Sequence, residues 1–279
     1  MIVSFHPLFE ADQNIICAGR DPEASDLAAL KAADAVILPQ GCRQSLYAMA
    51  RNTCDYVFPN YDARFRYPGK IGQIQLFQDT RTPHPETVTY PALDSFYRHC
   101  SADLNRLPFQ FPFVFKLDWG GEGDTVYFIP SFEILQQVLQ HVEIYEKSGQ
   151  KGFLIQKYIP NHKTLRVVII GCRLITYWRS LENQNGFLAN LSKGATIDFE
   201  SDPDLQANAI ASIKDFCNKS GINLAGVDVI FSAEENDAPP LLLEINYFFG
   251  RKGLGGSQDY YTMLHAEIRT WLESLNLVK

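Results

Sequence analysis

The chain has 279 residues, with 25 Lys and Arg against 32 Asp and Glu, and a formal net charge of -7. At about 100–200 residues per domain, this length allows one large domain or two modest ones, and it can bury a core without disulfide staples. The acidic balance argues against a nucleic-acid-binding protein, because backbone phosphates are bound by dense Lys and Arg. It leaves room for a local basic pocket.

Six cysteines, at positions 17, 42, 54, 100, 172 and 217, stand apart, without CxxC or zinc spacing. We expect free, mostly buried thiols in a reducing compartment. The first residues lack the basic region and long apolar run of a signal peptide, and no stretch of about 18 apolar residues follows. The sequence therefore predicts a cytoplasmic protein without a membrane partner.

The first seventy residues alternate short apolar runs with helical patterns. Strands are predicted at Ile2–Phe5, Asn14–Ala18, Ala35–Pro39 and Tyr56–Pro59, and helices at Glu23–Ala33 and Gln44–Asn52. This alternation predicts a small parallel α/β layer. No GxGxxG motif follows the first strand, so a dinucleotide site is not indicated. The next predicted element is a helix at about Lys70–Gln78.

Longer strands predominate from residue 111 onward. They are predicted at Phe113–Leu117, Thr125–Ile129, Phe153–Tyr158, Leu165–Ile170, Arg173–Trp178, Gly226–Phe231 and Leu241–Asn246. Helices are predicted at Phe132–Glu146 and Asp204–Lys219, the second with Asp202 as its N-cap, Pro203 at its first position and Gly221 at its end. This order predicts an α+β region in two lobes.

Lys116 lies inside an apolar strand, and a glycine-rich turn over Gly120–Gly123 follows it. An unpaired ammonium is costly in such surroundings, so we expect an anion beside it. A strand rather than a helix follows the turn, which excludes a P-loop and favours a flap whose N–H groups lie over phosphates. The alternative is a tight hairpin whose lysine reaches solvent.

Two later strands carry Asp228, Glu244 and Asn246. If the connecting loop turns symmetrically near Asn236, Asp228 faces Glu244 across the ladder and Asn246 shares that side. Facing carboxylates in apolar surroundings repel unless one is protonated or a cation lies between them. These oxygen ligands suit Mg²⁺ or Mn²⁺ shared with a phosphate substrate. The alternative is a solvated edge with unrelated acids, and a one-residue shift in register would remove the pairing.

Further cationic and amide groups accompany these strands: Arg166, Arg179, Asn190 and Lys193 lie between the glycine-rich turn and the two acidic strands, and Arg251 and Lys252 follow them. Each alone is more often a solvated surface charge. Together, in an acidic protein, they indicate a pocket for anions. Arg251 and Lys252, in a glycine-rich loop, suggest a substrate with a carboxylate or another acidic group.

The chain resembles the ATP-grasp superfamily in the order of these motifs. The likeness rests on Lys116 before its flap, the segment 153–160, Arg166, Asn190-Leu-Ser-Lys-Gly, Gly226-Val-Asp-Val and Glu244-Ile-Asn. It extends over about Lys70 to Gly256 and is closest to the glutathione synthetase and ribosomal-protein glutamate ligase branch. The implied architecture is a small parallel α/β domain over 1–69, followed by a two-lobed ATP-grasp fold. Its N-terminal lobe, with the flap, would span 70–160, and its C-terminal lobe, with the metal site, 161–279.

The resemblance also implies ATP and Mg²⁺ or Mn²⁺ as cofactors, with a role for each matching position. ATP phosphates would contact Lys70, Lys116 and the flap residues Gly120, Gly121 and Gly123. Adenine would lie against the hinge residues Gln156, Lys157, Tyr158 and Ile159. The metal would be held by Asp228, Glu244 and Asn246. The transferred phosphoryl group would face the catalytic residues Arg166, Arg179, Asn190 and Lys193.

Three departures from the family pattern limit what can be carried over. The chain reads Pro160-Asn161-His162-Lys163 where many relatives have an acidic residue for the ribose. It has Thr164 where the glutamate ligases have an aspartate before the first arginine, and Tyr247–Phe249 where small residues are usual. The ribose contact and the substrates are therefore unassigned.

The leading functional hypothesis is an ATP-dependent ligase that joins a carboxylate to an amine through an acyl phosphate, acting on small molecules or peptides. The alternatives are a kinase that phosphorylates a hydroxyl and an ATP-binding module without turnover. No Ser/His/Asp or Cys/His arrangement indicates a covalent nucleophile. Dimers are frequent among similar proteins, which makes a homodimer an open alternative.

Overall fold

Three β-sheets follow one another along the chain in the computed structural model, which describes residues 1–100, 106–121, 123–161, 163–180, 196–232 and 239–277. One sheet is parallel and the other two are antiparallel. The mixture of a parallel α/β layer with an α+β region is the fold class that the sequence predicts. The domain boundaries at residues 69 and 160 stay predictions.

The N-terminal sheet has the order β2-β1-β3-β4, with all neighbouring strands parallel. Its elements are β1 (Ile2–Ser4), β2 (Gln13–Asn14), α1 (Ala24–Lys31), β3 (Ala35–Ile37), α2 (Gln44–Thr53), β4 (Val57–Phe58) and the short α3 (Asp62–Arg66). Strands β1 and β3 are buried along their whole length, as continuous apolar runs in a parallel sheet should be. Strand β2 has two residues, shorter than predicted.

The second sheet has the order β5-β8-β6-β7. Its segment of the chain contains α4 (Gly69–Asp79), β5 (Thr87–Tyr90), α5 (Leu93–Cys100), β6 (Phe113–Leu117), β7 (Val126–Ile129), α6 (Phe132–Lys147) and β8 (Phe153–Lys157). Helix α6 buries the predicted apolar face of Leu135, Val138, Leu139 and Val142. Strand β5 and helix α5 do not figure among the sequence predictions.

The third sheet has the order β11-β10-β9-β12-β13. Its elements are β9 (Lys163–Ile170), β10 (Arg173–Ser180), β11 (Thr196–Asp198), α7 (Pro203–Ser220), β12 (Leu224–Ile230), β13 (Leu241–Asn246) and α8 (Ser257–Ser274). Gly221 ends α7 at φ +74°, as predicted. Asp202 is the N-cap residue of α7 and Pro203 its first residue, as predicted. The Asp202 carboxylate makes no capping hydrogen bond and pairs with Lys163, and its backbone is left-handed, at φ 47°.

Helix α8 packs the N-terminal sheet onto the third sheet. Its buried residues Tyr260, Leu264 and Ile268 share one core with Ile37 of β3 and Val168 of β9. The small domain is thereby fixed beside the strands that carry the predicted metal ligands. The six cysteines are free; Cys172 is exposed and Cys217 half-buried, while the other four are buried. No helix among the described residues is long and apolar enough to cross a membrane.

Candidate active site

A cavity of about 370 Å³ lies between the second and third sheets. Twelve of the predicted site residues line it: Lys116, Gly123, Gln156, Lys157, Tyr158, Ile159, Arg166, Arg179, Asp228, Glu244, Asn246 and Lys252. Lys70, Gly120, Gly121 and Arg251 are not among its lining residues. Asn190 and Lys193 lie outside the described residues, as do the flap residue Glu122 and the turn position Asn236. The sequence analysis therefore located the cavity but not its whole lining.

The floor of the cavity is one face of the third sheet. Tyr177, Arg166, Asp228 and Glu244 form a row across β10, β9, β12 and β13, each directly opposite its neighbour in the ladder. Arg179, two residues beyond Tyr177 on β10, lines the cavity from the same face. The predicted pairing of Asp228 with Glu244 is confirmed.

A β-bulge in β13 changes the regular alternation at this point. Asp228 pairs with Glu244, but Val229 pairs with Leu242, so Leu243 has no partner on β12. Because of this extra residue, the consecutive residues Leu243 and Glu244 both line the cavity. The assumption of a symmetric turn was therefore wrong for the pairs nearest the loop, although it holds at Asp228.

Asp228 is buried and accepts four hydrogen bonds from protein groups. Its Oδ1 accepts from Arg166 Nε at 2.6 Å and from an Arg179 terminal nitrogen at 2.5 Å. Its Oδ2 accepts from the second Arg166 nitrogen at 3.0 Å and from Asn246 Nδ2 at 3.2 Å. Burial alone would raise the pKa of Asp228, but the two arginines outweigh burial and hold it below its ordinary value. Two guanidinium groups thus supply the positive charge that the sequence argument assigned to a metal ion.

A glycine makes room for one of these arginines. A Cβ added at Gly226 would lie 2.8 Å from a terminal nitrogen of Arg166 and 3.2 Å from the Cβ of Phe249. Any larger residue at this position would force the Arg166 guanidinium to shift. Arg179 keeps a buried Nε–H that has no acceptor among the described residues, so the protein does not fully pair this group.

Glu244 and Asn246 differ from Asp228 in having oxygen atoms left for a ligand. Within the described ranges, the Glu244 side chain makes no hydrogen bond or ion pair. Asn246 donates its Nδ2 to Asp228, which leaves its side-chain oxygen for a ligand. These ranges contain no cluster of three or more His, Cys, Asp or Glu residues that could hold a metal ion. Mg²⁺ commonly takes only one or two carboxylates and completes its shell with phosphates and water. The residues fit a divalent cation shared with a phosphate group, rather than one enclosed by protein.

Lys116 faces the cavity from β6 and is 9% exposed. Burial lowers the pKa of its ammonium to about 8, an effect that Glu244 opposes and Lys70 reinforces. The Lys116 side chain makes no hydrogen bond or ion pair with another residue in the described part of the chain. This buried cation therefore has space and charge for an anionic ligand.

Lys70 lies at the root of the flap rather than in the cavity wall. Its ammonium donates to the carbonyl oxygen of Gly120 at 3.0 Å and, more weakly, to that of Trp119 at 3.4 Å. Gly120 has φ +85°, and a Cβ there would lie 2.4 Å from Cγ2 of Thr125. The flap therefore requires glycine at this position, and Lys70 holds its first residues.

The cavity is also lined by apolar residues. Besides Ile159 at the hinge, the lining includes Val114, Val126, Ile230 and Leu243, which the sequence analysis missed. Ile230 could have been found, because it lies two residues beyond Asp228 on a strand. Leu243 could not, because only the bulge turns it to this face.

Two predicted hinge residues already have protein partners. The Gln156 side chain donates to Thr87 Oγ1 at 2.9 Å, and the Lys157 amide donates to the Glu86 carbonyl at 2.9 Å. Both partners belong to β5 or to the residue before it. The side chain of Gln156 and the amide of Lys157 therefore stabilise the sheet beside the hinge.

A second cavity of about 450 Å³ adjoins the first and is lined by Gln40, Phe248–Lys252, Gly256 and Ser257. Lys252 and the residues Phe248–Gly250 line both cavities. Arg251 lies 4.5 Å from the ring centre of Tyr260 and 4.6 Å from that of Tyr261. Arg251 and Lys252 thus lie beside a space that reaches the N-terminal domain.

Two antiparallel sheets that enclose a cation-rich cavity, with a glycine flap on one and acidic strands on the other, define an ATP-grasp protein. A sequence profile of the RimK-like ATP-grasp domain matches residues 75–271, and the chain belongs to this family. No curated protein matches this chain. The predicted resemblance to the ATP-grasp superfamily is confirmed.

Solved structures of similar fold include an ATP-grasp RimK domain protein from Sphaerobacter thermophilus, with a TM-score of 0.60 at 14% identity over 95% of this chain and 98% of that one. D-alanine-D-alanine ligase from Helicobacter pylori matches with a TM-score of 0.57 at 19% identity, over 84% of this chain and 72% of that one. The ADP complex of N5-carboxyaminoimidazole synthetase from Staphylococcus aureus matches with a TM-score of 0.59 at 14% identity, over 85% of this chain and 59% of that one. At these identities the likeness shows a shared fold.

Proposed function

We propose that this protein is an ATP- and Mg²⁺-dependent ligase that joins a carboxylate to an amine through an acyl phosphate. The observation that carries the proposal is the composition of the cavity. Five cationic residues (Lys116, Lys157, Arg166, Arg179 and Lys252) and the acidic residues Asp228 and Glu244 line it together with apolar residues such as Val114, Ile159 and Leu243. A nucleoside triphosphate needs both kinds of surroundings, because it joins an apolar base to a polyanion.

The nucleotide would lie across both sheets. The base would lie against the apolar residues Ile159 and Leu243, with backbone contacts from Tyr158 and Ile159. The phosphates would extend toward Lys116 under the flap, whose position Lys70 fixes from behind. The ammonium of Lys116 is desolvated already, so a phosphate oxygen beside it gains a strong charge-assisted hydrogen bond.

Glu244 and Asn246 are the first residues that we assign to the metal ion, with Asp228 as a third ligand that would give up an arginine hydrogen bond to coordinate. When bound, Mg²⁺ would offset negative charge on the β- and γ-phosphates and on the transferred group. Asp228 also orients Arg166 and Arg179, which would stabilise the transferred phosphoryl group together with Asn190 and Lys193. Because Asp228 holds both guanidinium groups in place, they need to move little during the reaction.

The reaction is then an in-line phosphoryl transfer followed by acyl transfer. A substrate carboxylate oxygen attacks the γ-phosphorus, ADP leaves, and the amine displaces phosphate from the acyl phosphate. The second cavity would hold the acid or the amine, with Arg251 and Lys252 facing an acidic group. The structural neighbour from Helicobacter pylori is a ligase of amino acids, which supports amino acids and peptides as the first substrates to test.

The test is a phosphate-release screen of the purified protein with ATP, Mg²⁺ and pairs of acids and amines, repeated with hydroxylamine in place of the amine. We expect phosphate release to depend on one acid, and a hydroxamate to form from it. Glu244→Gln is the matched control and should give neither product. A stable phosphorylated alcohol would identify a kinase instead, and ATP binding without phosphate release from any pair would identify a binding module. Cytoplasmic location and a homodimer stay predictions.

A further inference from the structure

Strand β13, which carries Glu244 and Asn246, lies at the edge of the third sheet. Between these two residues, Ile245 buries its side chain in the core, and both of its backbone polar groups bond to one side chain of helix α4. The Ile245 amide donates to Gln73 Oε1 at 2.8 Å, and its carbonyl oxygen accepts from Gln73 Nε2 at 2.9 Å. Gln73 therefore pairs with Ile245 as a residue of a neighbouring strand would.

The edge of β13 has a second fixed point. The Leu242 amide donates to the carbonyl oxygen of Pro83 at 2.9 Å. The bulge residue Leu243 and the ligand-facing Glu244 lie between the two fixed points. Because side chains alternate along a strand, a fixed backbone at Ile245 sets the direction in which Glu244 and Asn246 point into the cavity.

The first turn of α4 is anchored at the glycine flap. The Ile71 amide donates to Asp118 Oδ1 at 2.7 Å, and Lys70 donates to the Gly120 carbonyl at 3.0 Å. Gln73 follows one turn later on the same helix. Helix α4 thus connects the flap over the predicted phosphate site with the strand of the predicted metal ligands.

We propose that Gln73 is a positioning residue for the divalent cation: it holds Glu244 and Asn246 at the separation that the ion requires. The proposal rests on the proposed function, because it concerns the same metal site. A side-chain amide suits this role because it offers one donor and one acceptor to the two groups of one peptide residue. Asparagine would be one methylene too short to reach both groups from the same helix.

The test compares Gln73→Met, which keeps length and apolar bulk but loses both hydrogen bonds, with Gln75→Met. Gln75 lies on the same helix, is exposed and bonds only to Asp79 among the described residues. The measured quantity is the affinity for Mn²⁺, followed by electron paramagnetic resonance in the presence of a non-hydrolysable ATP analogue. We expect Gln73→Met to weaken Mn²⁺ binding about tenfold, as loss of an outer-shell partner does, and Gln75→Met to leave it unchanged. Affinity for the analogue without a divalent cation should be the same in all three proteins.

Equal Mn²⁺ affinity in Gln73→Met and the wild type would overturn this inference and leave the proposed function standing. A wild-type protein that binds no Mn²⁺ with the analogue would overturn both. If Gln73→Met does not fold, amide hydrogen exchange in the wild-type chain decides the matter. The Ile245 amide has no neighbouring strand on that side and donates to Gln73, so exchange at the rate of a free amide would contradict the proposal.

Discussion

Asp228 and Lys116 are two buried charges that face one cavity from opposite walls, and the protein surrounds them differently. Asp228 accepts four hydrogen bonds, three of them from arginines. Lys116 has no such partner within the described ranges, and burial depresses its pKa. The charge of Asp228 is thus neutralised by the protein itself, whereas the charge of Lys116 is left for an anionic ligand. Loss of the Asp228 charge should therefore lower stability, whereas loss of the Lys116 charge should weaken ligand binding.

The largest effect is expected for Asp228→Asn. Removing this charge leaves Arg166 and Arg179 buried without a counter-ion, and breaking a buried ion pair costs about 3–5 kcal/mol. Urea denaturation should show that loss in the free energy of unfolding. Asp215→Asn is the control, because Asp215 pairs with Lys219 at the exposed surface of α7 and should change the free energy by less than about 1 kcal/mol. Equal effects of the two substitutions would show that the arginine pairs of Asp228 stabilise the fold no more than an exposed ion pair does.

Glu244→Gln should affect activity rather than folding. Glu244 has no protein partner among the described residues, so its neutralisation breaks no ion pair within them, but it removes a carboxylate from the predicted metal site. We expect Mg²⁺-dependent phosphate release to fall about 100-fold or more, with the melting temperature unchanged. Unchanged phosphate release would remove Glu244 from the metal site.

Lys116→Met tests whether the charge of Lys116 serves a ligand rather than the fold. Loss of the phosphate contact should weaken ATP binding about tenfold, or about 1.4 kcal/mol. The free energy of unfolding should stay equal or rise, because a desolvated ammonium is replaced by an apolar side chain. Isothermal titration calorimetry and urea denaturation measure the two quantities. Lys147→Met, at an exposed position on α6, should change neither. A destabilised Lys116→Met with unaltered ATP affinity would assign this lysine a structural role.

The smallest expected effect is the dependence of ATP affinity on pH through the protonation of Lys116. Because burial lowers the pKa of Lys116 from 10.5 to about 8, its ammonium loses its proton as the pH rises through 8. Affinity for ATP should then fall about fourfold between pH 7 and 8.5, and Lys116→Met should lack this fall. The effect on stability has the opposite sign. The buried ammonium lowers the free energy of unfolding below pH 8, and this loss is relieved as the pH rises toward 10.5. ATP affinity that is constant over this range would contradict the lowered pKa.

Local pattern was enough to predict the strands that build the cavity. The bounds of β6 and β13 agree with the predicted Phe113–Leu117 and Leu241–Asn246, because each is an apolar run between turn residues. Strand β5 was missed, since a short edge strand with partly exposed residues lacks a clear pattern. Helix α8 was also missed, although Tyr260, Leu264, Ile268 and Leu272 recur at helical spacing.

Contacts between distant segments could not be predicted in this way. The sheet places β9 between β10 and β12, and this order brings Arg166 beside Asp228, 62 residues away. Lys70 was predicted to bind phosphate but bonds to the flap backbone, because α4 begins against residues 118–120. Gln73 carries no sequence signal for its contact with Ile245.

The sequence by itself determined the class of protein, the strands and most of the charged groups of the site, because strand periodicity, turn residues and costly buried charges are local properties. It predicted that Asp228 faces Glu244 only by assuming a symmetric turn, and the structure confirms this pair although the register shifts nearer the loop. Tertiary structure alone decided which partner each charge meets. The arginines neutralise Asp228, the bulge brings Leu243 to the cavity, and Gln73 holds Ile245. These outcomes depend on sheet order and packing between segments far apart in the chain.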